Sequence, residues 1–185
     1  MAGSALIVVD MLNRYDHADA EPLAASVRER LPAMRSLLEA ASEHEVLTVW
    51  VNDNYDDWSA NAPSLTSHAM AGEEPELVEP FAPPDDAPFV IKARHSIFYG
   101  TQMEYLLRQE GIGRIVLLGQ VTEQCILYSA LDAYVRHFEV VVAPDAVAHI
   151  HEDLARAALR MMEINMRAQL VDANHVAFTT GDRAR

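Results

Sequence analysis

Three side chains of complementary chemistry stand at the ends of apolar runs. Asp10 follows Ala5-Leu6-Ile7-Val8-Val9, Lys92 follows Phe89-Val90-Ile91, and Cys125 follows Gly119-Gln120-Val121-Thr122-Glu123-Gln124. A carboxylate can take a proton, an ammonium can stabilise a developing negative charge, and a thiolate can attack an electrophilic carbon. Each residue also has a plainer reading. An aspartate after a strand is commonly a turn residue or cap, a lysine is commonly a solvated charge, and a lone cysteine is commonly a small buried hydrophobe. Lys92, however, is the one lysine among 14 basic side chains. A lysine shifts its pKa readily on burial, which arginine does not do. Cys125 falls about three residues into a helix that Thr122 can cap, where the positive helix end favours thiolate.

For these groups to meet, the elements before them must end on one edge. Apolar runs predict strands over 5–9, 46–51, 88–92, 114–118 and 138–142, and a short one over 169–171. Leu23, Val27, Leu31, Met34, Leu38 and Ala41 follow helical spacing, with Pro32 either kinking that helix or starting it. Thr101 and Glu104 form a capping-box pattern for a helix that Gly111 ends. A helix is expected from about Thr122 to His137, and Ala155, Ala158, Leu159 and Met162 mark another. Residues from Asn52 towards Pro75 read as a long loop, followed by a proline-rich acidic stretch to Pro88 with room for one helical turn. Strands separated by helices predict an α/β fold, three-layer α/β/α, with a doubly wound, mostly parallel sheet of five to six strands. Such sheets bind ligands beyond the carboxyl ends of their strands, where Asp10, Lys92 and Cys125 fall.

The chain has 185 residues, half of them hydrophobic and 23% charged, which suits one globular domain over 1–185. Its 28 acidic residues outweigh 14 basic ones for a net charge of -14. That disfavours nucleic acid and anionic membrane surfaces as partners. The single cysteine excludes an intramolecular disulfide, and the apolar start stops at Asp10, too soon for a membrane span or a signal core. A cytoplasmic protein is expected. No G-x-G-x-x-G, G-x-x-x-x-G-K, C-x-x-C or H-E-x-x-H occurs, and no cofactor is expected.

Three segments, in order, resemble the isochorismatase-like cysteine hydrolases, a group that includes nicotinamidases and N-carbamoylsarcosine amidases. They are Ile7-Val8-Val9-Asp10-Met11-Leu12-Asn13, Val90-Ile91-Lys92-Ala93-Arg94-His95-Ser96-Ile97-Phe98 (similar to K-x-x-x-S-x-F) and Gly119 to Cys125 (similar to G-x-x-T-x-x-C). The resemblance runs from Ala5 to about Val176. It implies Asp10 as base, Lys92 as supporting cation and Cys125 as nucleophile. It also implies a cis peptide bond between Val121 and Thr122, aiming backbone N–H groups at an oxyanion. By the same resemblance Asp10 returns its proton to the leaving amine, and water activated by Asp10 hydrolyses the thioester.

Nicotinamidases carry a D-x-H metal motif after the second strand. Here the stretch is Asn52-Asp53-Asn54-Tyr55-Asp56-Asp57-Trp58, without histidine. No metal is therefore expected, and His68 has no partner in such a motif. Arg14 stands where many members carry an acid. Tyr15, Asn52, Asn54, Tyr55, Trp58, Phe98 and Tyr99 fall in loops at the same edge and are candidates to line a small-molecule pocket, or to pack beneath the long loop. His149, His151, Glu123 and Gln124 read more simply as cap, surface or first-turn residues, and Met161 and Met162 as core or subunit interface. The expected activity is metal-independent hydrolysis of a small amide, ureido or lactam compound. The alternatives are vinyl-ether hydrolysis of the isochorismatase type and a noncatalytic small-molecule-binding protein. The resemblance further implies a homo-oligomer, a dimer or tetramer.

Overall fold

A computed structural model describes residues 2–179. Six strands form one parallel sheet: β1 (Gly3–Val9), β2 (Leu47–Asp53), β3 (Phe89–Lys92), β4 (Ile112–Gln120), β5 (Glu139–Ala148) and β6 (Gln169–Leu170). Their order is β3-β2-β1-β4-β5-β6. The chain winds outward in one direction through β2 and β3, then in the other through β4, β5 and β6. The direction reverses between β1 and β4, the place where such sheets leave a crevice for ligands.

β1 shows why the sheet is covered on both faces. Its side chains alternate, with Ala5, Ile7 and Val9 entering one core and Leu6 and Val8 the other. The first core is closed by α4 (Met103–Gln109), α5 (Leu127–Val135) and α6 (Glu152–Met166). The second is closed by α1 (Ala20–Glu43), α2 (Ala62–Met70) and α3 (Pro75–Val78). Among the described residues, no helix is long and apolar enough to cross a membrane.

Several local expectations change. α1 begins at Ala20 and continues through Pro32, so Pro32 does not start it. The expected loop after β2 contains α2. Asn61 accepts the Ser64 N–H at 3.0 Å, and Ser64 Oγ accepts the Asn61 N–H at 2.9 Å. This reciprocal cap starts a helix that buries only Leu65 and Ala69, too short a stripe for periodicity to reveal. The expected helical turn in the proline-rich stretch is α3, with a 3-10 turn after it. The Thr101–Glu104 box does not form. Thr101 donates to the Ile97 carbonyl instead, and Glu104 pairs with Arg136 at 3.0 Å. The long-range ion pair draws Glu104 away from the helix start. Gly111 does end α4, with φ +68°.

Gly119 sets how closely β4 approaches β1. Its φ is +126°, and a Cβ there would collide with the Val9 carbonyl oxygen. Only glycine lets the chain turn off β4 against the end of β1.

Candidate active site

Asp10 leaves β1 in the left-handed region, with φ +56°. Its main chain is held on both sides. The N–H donates to the Val51 carbonyl at 2.8 Å, and the carbonyl accepts from Gln120 Nε2 at 2.6 Å. Its carboxylate is then fixed by two donors, the Asp53 N–H at 2.8 Å on Oδ1 and Lys92 Nζ at 2.8 Å on Oδ2. Lys92 is the last residue of β3 and lies in register with Asp53 on β2. Its side chain is fully buried, and Nζ also stands 3.3 Å from Asp53 Oδ2 and 3.6 Å from Cys125 Sγ. One ammonium thus joins two carboxylates and the thiol. Asp10, Lys92 and Cys125 meet as the strand ends imply, although far apart in sequence.

Cys125 follows β4 on a single π turn, Thr122–Ile126, that runs into α5. The Val121 carbonyl accepts the N–H groups of Gln124 and Ile126. The peptide between Val121 and Thr122 is therefore the first of the helix. The cis bond lies one residue earlier, between Gln120 and Val121, not at Val121–Thr122. Val121 is buried, and Thr122 spends its hydroxyl on the Ala148 carbonyl at 2.9 Å.

The electrostatics around Cys125 run against the thiolate that its place at a helix start favours. Burial pushes the Cys125 thiol well above its ordinary range, and the Asp10 carboxylate raises it further, while Lys92 offsets this only in part. Burial by itself lowers Lys92, but Asp10, Cys125 and Asp53 together raise it above its ordinary value, so it stays an ammonium.

The aromatic and amide candidates separate. Tyr15 is buried in the core, its hydroxyl donating to Gln120 Oε1 at 3.2 Å, and burial raises its pKa. Asn52 is buried and clamps Leu12, accepting its N–H at 3.0 Å and donating to its carbonyl at 3.3 Å. Phe98 packs inside against Phe138. Trp58 is 84% exposed. Asn54 accepts the Asp56 N–H and lines a side cavity of about 340 Å³ with His68. Tyr55 exposes its ring but buries its hydroxyl, which donates to the Leu12 carbonyl at 3.1 Å. That burial, with Asp10 and Asp53 nearby, holds the phenol neutral.

Two further cavities lie against His95, which contacts the thiol. One of about 390 Å³ is lined by Asp53, Tyr55, Asp56, Ala93, Arg94 and His95. The other, about 350 Å³, contains Tyr99 and Tyr128 and shares Arg94 and His95 with the first. Both are large enough for a small ligand. Asp53 and His95 were not singled out from the sequence, and both touch the central group. His95 Nδ1 lies 3.7 Å from Cys125 Sγ, and its ring stacks on Tyr128 at 5.4 Å. Both sit inside segments already quoted, at or just beyond a strand end, which was the available signal.

A metal of the nicotinamidase kind does not fit these residues. Tyr55 occupies the position two beyond Asp53, and Asp53 is engaged by Lys92. Among the described residues, no group of three or more His, Cys, Asp or Glu side chains is arranged to hold an ion.

The isochorismatase domain model matches residues 4–175. The chain is 29% identical to the uncharacterized isochorismatase family protein YaaI of Bacillus subtilis, over 95% of this chain and 97% of that one. It is 27% identical to maleamate amidohydrolase of Pseudomonas putida, over 84% of this chain and 76% of that one. The crystal structure of nicotinamidase PncA from Bacillus subtilis superposes with a TM-score of 0.73 at 26% identity, covering 92% of this chain and 99% of that one. The chain therefore belongs to the isochorismatase family, a family of hydrolases.

Proposed function

We propose that the protein hydrolyses a C–N bond of a small amide, ureido or lactam compound through a thioester on Cys125. The observation that carries this reading is the buried Lys92 ammonium, 2.8 Å from Asp10 and 3.6 Å from the Cys125 sulfur. Burial and the Asp10 carboxylate favour the protonated thiol before substrate binds. Asp10 takes its proton as sulfur attacks the carbonyl carbon, and Lys92 stabilises the charge left on sulfur. The backbone N–H groups of Cys125 and Thr122 hold the oxyanion, each donor worth about 3 kcal/mol. The C–N bond breaks as Asp10 passes the proton to the leaving nitrogen. Water then hydrolyses the thioester. No step uses a metal ion.

The cavities that Tyr55, Tyr99, Arg94 and His95 help line receive the substrate. We extend this reading to a single cytoplasmic domain over 1–185 that works as a homo-oligomer. Exposed Tyr128, Leu131 and Val135 on α5 support an association surface. Ammonia release from a panel of small carboxamides and ureido acids, maleamate included, tests the activity. Cys125→Ala abolishes it, Asp10→Asn lowers it by about 10³-fold or more, and EDTA leaves it unchanged. Full activity in Cys125→Ala would instead support vinyl-ether chemistry. Light scattering reads the oligomeric state.

A further inference from the structure

Asp10, Lys92 and Cys125 are all buried, and none of them lines the two cavities at His95. His95 lines both. Its Nδ1 stands 3.7 Å from Cys125 Sγ, and stacking on Tyr128 at an interplanar angle of 16° holds the ring in place. His95 therefore stands between the cavities and the sulfur, an acid–base group in contact with both.

We infer that His95 is the base of the second half-reaction, taking the proton from the water that hydrolyses the thioester. This rests on the thioester reading above. Acylation removes the thiol proton through Asp10 and releases the amine. The water that follows enters from the cavities, and His95 is the side chain that both lines them and contacts the sulfur. Its ring nitrogen takes a proton from that water as the water oxygen bonds to the thioester carbon. The tetrahedral intermediate collapses, the C–S bond breaks, and the electron pair passes to sulfur. His95 then returns the proton across the short gap to Sγ, leaving a carboxylic acid and a free thiol. Imidazole can accept and return a proton within one turnover.

The probe is p-nitrophenyl acetate, which acylates thiols and releases a coloured phenolate. Wild type is expected to give a burst of one equivalent per Cys125, followed by steady turnover. His95→Phe, which keeps an aromatic ring to stack on Tyr128, is expected to keep the burst and slow turnover by about 10²-fold. Intact mass then shows acetyl-Cys125 accumulating, and added imidazole restores turnover. His95→Gln, of similar polarity, should behave in the same way. Unchanged turnover in both variants overturns the assignment, and so does loss of the burst in both. A burst that persists in Cys125→Ala, or no Cys125-dependent burst in wild type, overturns the thioester reading itself.

Discussion

Gln120 donates from its side-chain amide to the main-chain carbonyl of Asp10 at 2.6 Å, tying the end of β4 to the end of β1. Its other amide atom accepts the Tyr15 hydroxyl at 3.2 Å. All three residues are buried, so the amide orients Asp10 from within the core. Gln120→Ala leaves the Asp10 carbonyl and the Tyr15 hydroxyl without this partner. It should destabilise the protein by about 2 kcal/mol and lower kcat. Tyr15→Phe removes only the outer bond, so it should cost about 1 kcal/mol and leave kcat nearly unchanged. Urea denaturation and steady-state kinetics on both variants separate the effects.

Cys125 alkylation reads the charge balance around the thiol. Burial and Asp10 raise its pKa, while Lys92 lowers it. Iodoacetamide should therefore react slowly at neutral pH, its rate rising only above the ordinary thiol range of about 8.5. Asp10→Asn should move the profile to lower pH, and Lys92→Met should move it higher. A profile that neither variant moves would disconnect the thiol from both groups.

The Asp10–Lys92 pair is buried, and its lysine side chain is wholly inaccessible. Removing one charge strands the other. Lys92→Met should destabilise the fold by about 3 kcal/mol. Adding Asp10→Asn should recover part of that loss, because the stranded carboxylate goes with it. Equal stability of the single and double variants by chemical denaturation would contradict this.

Gly119 and Gly100 both have positive φ, but their surroundings differ. At Gly119 a Cβ meets the Val9 main chain, whereas at Gly100 it meets nothing. Gly100→Ala should cost about 1 kcal/mol for the backbone conformation alone. Gly119→Ala adds a backbone clash at the strand end beside Asp10 and should cost about 3 kcal/mol or more. It should also impair activity, while Gly100→Ala leaves it intact. Thermal melts paired with the ammonia assay measure both.

The strands and the meeting of three residues were legible in the sequence by itself. Continuous apolar runs such as 5–9 identify strands buried on both faces. The parallel arrangement then places Asp10, Lys92 and Cys125 at one edge, whatever the exact register. α2 escaped because its buried stripe is only Leu65 and Ala69. The Thr101–Glu104 pattern misled because Arg136, on another element, competes for Glu104. Tyr15, Asn52 and Phe98 share the edge but turn inward, which loop sequence does not reveal. Only the tertiary structure decided that Asp53 shares Lys92 with Asp10, that His95 contacts the sulfur and that burial and Asp10 raise the Cys125 pKa. Those outcomes depend on distances of a few ångströms between residues remote in sequence, and on the loss of water around them. Local patterning constrains neither.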